Sequence, residues 1–202
     1  MQFQSAFKAV AAAAVLVAMA SAAQAQTPAR VRGVVESLSG HTLTVKSRDG
    51  QDVKVALSSR WRAVSVVPST VDAIKPGVFI GTAAMGPDSD LKAVEVVVFP
   101  ERMRGTAEGH YGWDLGAANS MTNGNVDGEV AAADGRQLTV SYKGGTSKIT
   151  VPAGVPVVTL VPGRRSLVVP GAQVFVPGQR GADGTISAAA VLVGKDGLKP
   201  PM

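Results

Sequence analysis

The side chains best suited to chemistry are concentrated in one segment of the sequence, residues 100–125. Two arginines, Arg102 and Arg104, precede the run His110-Tyr111-Gly112-Trp113-Asp114. Two aromatic rings beside a His and an Asp, with a glycine that lets a backbone approach, can form one wall of a ligand site. This pattern predicts a ligand-binding set made of Arg102, Arg104, His110, Tyr111, Trp113 and Asp114.

The same aromatic residues also have a purely structural interpretation. A linker of this length needs apolar anchors before it can become ordered. In this interpretation Tyr111 and Trp113 fasten the linker into the groove between two domains. The sequence favours anchoring over ligand binding.

A metal site is the alternative function for this segment. Met103, His110 and Met121 are soft ligands that suit Cu(I) in an exported protein. Their spacings of seven and eleven residues match no rigid metal motif, and methionine commonly fills gaps in a core. A metal-handling accessory protein therefore stays as the second hypothesis, and no cofactor is expected.

Several catalytic classes lack their sequence motifs. The chain has no Cys, which excludes a thiolate nucleophile, a Cys-ligated zinc site and a disulfide framework. The sequence has no Gly-x-Ser-x-Gly elbow, phosphate-binding loop or His-Glu-x-x-His motif. We expect a protein without catalysis.

The first 25 residues have the organisation of a secretory signal peptide. A short basic start, residues 1–8, precedes an apolar run over 9–20 and then Ala23-Gln24-Ala25. We predict cleavage after Ala25 and a periplasmic or secreted mature chain; an N-terminal membrane anchor is the rival. The mature chain keeps a charge of +4, one below the +5 of the full sequence. It has no later apolar stretch of about 18 residues, so no transmembrane span is expected.

The strands predicted on either side of residues 100–125 follow a sequence repeat. At an offset of 95, glycines and strand residues of the first half match those of the second, and prolines further on match at 94. The matches include Gly33 with Gly128, Gly40 with Gly135, Leu43-Thr44-Val45 with Leu138-Thr139-Val140, Pro68 with Pro162, and Pro76-Gly77 with Pro170-Gly171. This pattern predicts a duplicated unit.

Each copy is predicted to contain five strands. In the first copy they cover 31–38, 41–47, 52–57, 77–84 and 91–99, with a longer connection over 58–76. The fold class is all-β, with two tandem five-stranded OB-like barrels after the signal peptide. The predicted domains are 26–99 and 126–193, with 100–125 as linker and 194–202 as tail. A small sandwich, or a double barrel in which the copies exchange strands, remains the alternative.

The sequence resembles a widespread family of exported bacterial β-domains of unknown function. The likeness rests on Gly-Val-Val-Glu-Ser-Leu-Ser-Gly at 33–40, His-Thr-Leu-Thr-Val at 41–45, Lys75-Pro76-Gly77 and Leu91-Lys92-Ala93-Val94. These motifs are turns and strand cores, so the resemblance implies fold and compartment and transfers no catalytic residue.

The first copy is locally basic, with Arg30, Arg32, Lys46, Arg48, Lys54, Arg60 and Arg62. No nucleic-acid partner is expected, because stacking platforms need aromatic residues on the binding strands. We predict a non-catalytic envelope module for binding or scaffolding. Its partner is an unknown envelope protein, small molecule or anionic polymer.

Overall fold

The computed structural model describes residues 26–116 and 118–200, and this part of the chain is all-β, as predicted. The predicted export signal lies outside the described residues. Single-turn 3₁₀ helices occupy Val71–Ala73, Glu101–Met103, Arg165–Leu167 and Lys195–Gly197. No helix in the described ranges is long and apolar enough to cross a membrane. The strands are β1 Thr27–Ser39, β2 Thr42–Ser47, β3 Asp52–Pro68, β4 Phe79–Met85, β5 Leu91–Val98, β6 Gly109–Gly112, β7 Asn119–Ala132, β8 Gly135–Tyr142, β9 Gly145–Pro152, β10 Val157–Pro162, β11 Gln173–Arg180 and β12 Ile186–Gly194.

The first three strands form because their turns and burial pattern agree. Gly40 and Gly50 take φ angles of 56° and 82° in the turns that join β1 to β2 and β2 to β3, which glycine adopts without strain. Along β2, Leu43 and Val45 are buried and their neighbours are more exposed, the alternation of a half-buried strand. Both predicted hairpins are confirmed. The third strand, however, continues well beyond residue 57.

Five strands close into a barrel, which we call the first barrel. The hydrogen-bonded neighbours follow the circuit β1, β2, β3, β12, β11 and back to β1. The β3–β12 pairing is parallel and the other four are antiparallel. Its interior is a cluster that includes Val35, Leu43, Val55, Trp61 and Val191.

The remaining long strands form a second circuit, which we call the second ring. Strand β7 pairs with β8 and β4, β8 pairs with β9, and β4 pairs with β5. A short parallel contact between β5 and β9, through Leu91–Ile149 and Lys92–Thr150, completes the circuit. A separate apolar cluster that includes Ile80, Leu138 and Ile149 fills this ring.

Each circuit contains strands from both halves of the sequence. The first barrel takes β1–β3 from the first half and β11–β12 from the second, and the second ring takes the complement. The predicted domain ranges 26–99 and 126–193 therefore do not coincide with the two circuits. The arrangement differs from two copies that each close on themselves, and it agrees with the alternative in which strands of one half complete the circuit of the other. The physical reason for this arrangement is the length of β3. Its 17 residues extend beyond the first barrel, so that the following strand, β4, pairs with β7 in the second ring.

The circuits meet where β3 and β10 pair antiparallel, with Val66 opposite Leu160. A third apolar cluster covers this joint and contains Val66, Val97, Val158, Leu160, Phe175 and Leu192. Met103, Trp113 and Leu198 pack against its edge. The joint between the two circuits thus has an apolar cluster of its own.

Residues 100–118, which we call the connector, run between β5 and β7. The predicted linker was 100–125, but β7 already begins at Asn119. The connector contains one 3₁₀ turn and β6, which pairs with β7 outside the second ring. It is therefore ordered by hydrogen bonds to the sheet in addition to apolar anchors.

The structure changes one detail of the repeat alignment. Val35 pairs with Val45, and the corresponding pair in the second half is Val126 with Val140. This register makes Gly124, two residues before Val126, the counterpart of Gly33. Both glycines lie so close to a neighbouring strand that an added Cβ would collide with a backbone carbonyl oxygen, of Lys46 for Gly33 and of Ser141 for Gly124. In the β7–β8 hairpin Gly124, and not the predicted Gly128, therefore occupies the place that Gly33 has in the shorter β1–β2 hairpin.

Candidate functional site

The connector covers the outer face of β1 and supplies an aromatic ring and a carboxylate to it. Along β1 the side chain of Val31 is buried in the barrel, so Arg30 and Arg32 lie on the opposite face. Trp113 and Asp114 lie over this face. We call these four residues, Arg30, Arg32, Trp113 and Asp114, the connector contact.

The strongest interaction in the connector contact is an ion pair. Arg32 donates from Nη1 and Nη2 to the two carboxylate oxygens of Asp114, at 3.0 and 2.8 Å. Arg32 is only 9% exposed, and Arg30 Nη1 lies 4.0 Å from Asp114 Oδ2. A bidentate arginine–carboxylate pair fixes both side chains in orientation as well as in distance.

The charges around Asp114 decide its ionisation. Partial burial raises the pKa of its carboxyl group, but the hydrogen bonds and charge of Arg32, with the charge of Arg30, outweigh this effect. The net pKa lies below the ordinary value of 3.8. Asp114 is therefore ionised at neutral pH and holds the connector against β1.

Trp113 adds a cation–π contact and apolar packing. The guanidinium carbon of Arg30 lies 3.9 Å from the centroid of its ring, and the ring packs against the joint between the circuits. Its buried Nε1 has no hydrogen-bond partner among the described residues. The residue therefore acts through its ring, which supports the anchoring interpretation over a ligand-facing wall.

Tyr111 holds the turn that precedes β6. Its hydroxyl donates to the carbonyl oxygen of Ala107 at 3.3 Å and accepts from Asn123 Nδ2 at 3.3 Å. Burial raises the pKa of the phenol above its ordinary value of 10, although the charge of Arg30 acts in the opposite direction. The ring centroid lies 6.1 Å from that of Trp113, so the two aromatic residues form one group.

His110 lies apart from this group. Its Nδ1 is 2.8 Å from Thr122 Oγ1, its Nε2 is 3.3 Å from Asp88 Oδ1, and its ring stacks on Tyr142 at 5.9 Å. Both ring nitrogens are thus engaged. His110 thus connects β6 with β7 and with the end of β8.

Arg104 and Arg102 also lie outside the aromatic group, and each has different surroundings. Arg104 is paired with Glu101 at 2.5 Å and also donates to Asn125 and to the carbonyl oxygen of Gly77. Arg102 lines a groove beside β3 and β10. Of the six predicted ligand-binding residues, the structure brings together Tyr111, Trp113 and Asp114.

The three predicted metal ligands do not converge. In the β6–β7 ladder His110 is opposite Thr122, and Tyr111 is opposite Met121. Because successive strand residues extend to opposite faces, His110 and Met121 lie on different sides of the sheet. Met103 packs against the apolar joint. Among the described residues there is also no group of three or more His, Cys, Asp or Glu side chains that could hold a metal ion.

The sequence does not predict the partners of the connector. Arg30 and Arg32 belong to the locally basic set of the first copy, and no sequence motif predicts their contact with Trp113 and Asp114. A signal was present: two arginines two residues apart on one strand face, and an acidic and an aromatic residue adjacent in the linker.

The chain has no match among family models, curated proteins or solved structures.

Proposed function

We propose that this protein is a non-catalytic, exported envelope module that binds or scaffolds another envelope component. The observation that carries the proposal is the connector contact. Apart from Arg102, the predicted binding residues of the connector are engaged within the chain, and they hold the connector across both circuits. This use suits a rigid scaffold, whose binding surface lies elsewhere on the molecule.

We infer that the signal peptide over 1–25 directs export and that the two halves arose by duplication. In the first half three strands, β1–β3, precede a 3₁₀ turn and two strands follow it; in the second half four strands, β7–β10, precede the turn and two follow it. Because β9 and β10 together take the place of the long β3, this succession supports the duplication. So do corresponding pairings: Val96 with Val157, and Val191 with Ala63. The resemblance to exported bacterial β-domains agrees with this proposal.

Expression of the full chain in a Gram-negative bacterium tests the proposal. We expect the exported form to begin at Gln26 and the purified protein to co-sediment with an isolated envelope fraction. We also expect the fraction to be recovered chemically unchanged. A cytoplasmic, uncleaved product, or an envelope fraction that is degraded during incubation, contradicts the proposal.

A further inference from the structure

A groove on the surface of the protein is lined by several arginines and by no acidic side chain. This open groove of about 790 Å³ lies beside β3, where this strand runs between β12 and β10. Four arginines line it, and no Asp or Glu does. We call it the arginine groove, defined by Arg60, Arg62, Arg102 and Arg165.

One of these guanidinium groups is fixed in place. Arg165 donates from Nε and Nη2 to the carbonyl oxygen of Trp61, at 3.0 and 2.6 Å. Its guanidinium carbon lies 4.8 Å from the centroid of the Trp61 ring. A guanidinium held in this way is already oriented before a ligand arrives, so less conformational entropy is lost on binding.

The other three guanidinium groups are available. Arg60, Arg62 and Arg102 are exposed. Within the described part of the chain they form no ion pair, whereas Arg32, Arg104 and Arg136 each do. Like charges gathered in one groove repel each other and raise the local concentration of anions.

The other half of the chain provides an internal comparison. A smaller groove of about 340 Å³, the matching groove, contains Val71 and Val155, which correspond to Arg165 and Trp61 at the offset of 94. The hydrogen bond from Ser69 N to Val157 O in this groove corresponds to the one from Gly163 N to Ala63 O in the arginine groove. The two grooves therefore share a backbone framework.

The arginines are specific to one groove. Val71 and Arg165 each begin a 3₁₀ turn, and the position of Arg62 is Pro156 in the other half. The framework thus forms without these arginines. In the matching groove the cationic Arg136 is neutralised by Asp72 at 2.5 Å and Glu129 at 3.3 Å.

We propose that the arginine groove binds a segment of an anionic polysaccharide through its carboxylate, sulfate or phosphate groups. Guanidinium forks pair with such groups bidentately. The groove has no exposed ring for nucleobases to stack on, because Trp61 is 3% exposed and Arg165 lies over it. This assignment rests on the proposed binding function and gives it a ligand class.

The test compares two triple variants of the mature protein with equal loss of charge. The groove variant carries Arg60→Gln, Arg62→Gln and Arg102→Gln. The control carries Lys54→Gln, Lys92→Gln and Lys148→Gln, which replace exposed lysines outside the groove. Arg165 is left unchanged because its hydrogen bonds support the fold. Thermal unfolding followed by circular dichroism verifies that both variants remain folded.

The probes are heparin and polygalacturonate, titrated at several salt concentrations. We expect the affinity of the groove variant to fall by about tenfold or more. The slope of the logarithm of its binding constant against the logarithm of the salt concentration should decrease in magnitude by about two to three, because each removed arginine no longer displaces counterions from the glycan. The control should change by about twofold or less. A third variant with Lys at the three arginine positions should bind between the wild type and the groove variant.

Several outcomes overturn the assignment. Equal weakening of the groove and control variants shows a general charge effect. Binding to anionic phospholipid vesicles or single-stranded DNA in preference to both glycans shows a different partner class. If the wild type sediments with the envelope but the groove variant binds glycans equally well, this assignment fails and the proposed function stands. If the wild type does not sediment at all, the proposed function itself fails.

Discussion

Asp114 and Arg32 show how the connector covers the outer face of a barrel strand. Arg32 lies on the outer face of the first barrel, yet the connector covers it and pairs it with Asp114. Removal of the carboxylate leaves a buried guanidinium without its main partner.

We expect Asp114→Asn to lower the free energy of unfolding by about 1 to 2 kcal/mol at pH 7. The value is modest because the Asp114 side chain is 43% exposed and water screens part of the interaction. Urea denaturation measures it. The exposed Asp134→Asn is the control and should change stability little; an equal loss in both variants contradicts the role of the pair.

The same pair makes stability depend on pH in the acidic range. The pKa of Asp114 is lowered in the folded protein, so the ionised carboxylate stabilises the fold at pH values above its unfolded pKa of about 4. This contribution is lost as the pH falls through the folded pKa. The difference in unfolding free energy between wild type and Asp114→Asn should be constant from about pH 7 to 5 and should shrink below about pH 4. A difference that stays constant down to pH 2 contradicts this account.

Trp113 should contribute through its ring alone. We expect Trp113→Ala to lower the free energy of unfolding by about 2 to 3 kcal/mol, since a partly buried ring and its contact with Arg30 are lost. Trp113→Phe should lose much less, because Nε1 has no partner among the described residues. Equilibrium denaturation of both variants makes the comparison. Similar losses for Ala and Phe show that the indole nitrogen matters after all.

The sequence allowed part of this site to be predicted. The concentration of aromatic residues in the linker indicated that Tyr111 and Trp113 are anchors, and their contacts support this. The arginines they meet are more than 80 residues away in sequence. No local pattern specifies such a contact, because it depends on which strand face the connector crosses.

At the scale of elements, strands were easier to predict than their partners. Alternation and turn glycines located the hairpins, since both are local properties. The sequence predicts a longer connection over 58–76, whereas the structure continues β3 to Pro68. The alternation of buried Trp61 and Ala63 with exposed Arg62 was the signal of a continuing strand. The exchange of strands left no local signal, because the same hairpins form in either arrangement.

Gly33 and Gly124 lie where two neighbouring strands approach too closely to leave room for a side chain. We expect Gly33→Ala and Gly124→Ala each to destabilise the fold by at least about 2 kcal/mol, because the new Cβ would collide with a backbone carbonyl. Gly128→Ala should be nearly neutral, since its Cβ would meet nothing within 4 Å. Thermal unfolding of the three variants measures the difference. Damage by Gly128→Ala with tolerance at Gly124 restores the original alignment with Gly33.

At the scale of the whole molecule, strand exchange makes the two circuits depend on each other. We expect chemical denaturation to give one transition, with the same midpoint by far-UV circular dichroism and by the fluorescence of Trp61 and of Trp113 in single-tryptophan variants. Two separate midpoints contradict this shared stability.

Cleavage of the connector gives a second measurement of this dependence. A protease site inserted at the exposed Gly105 turn would cut the chain without breaking a strand. The fragments 26–105 and 106–202 should stay together on size-exclusion chromatography under native conditions, because each supplies strands to both circuits. Separation into two folded fragments shows that each half is self-sufficient.

The crossing of β3 from one circuit to the other also limits how the gene can change. A deletion of either half would leave both sheets with unpaired edges, and such edges invite aggregation. Recombination cannot transplant one half into another protein as a finished unit. We therefore expect the fold to tolerate changes of side chains and of surface turns better than the loss of either half.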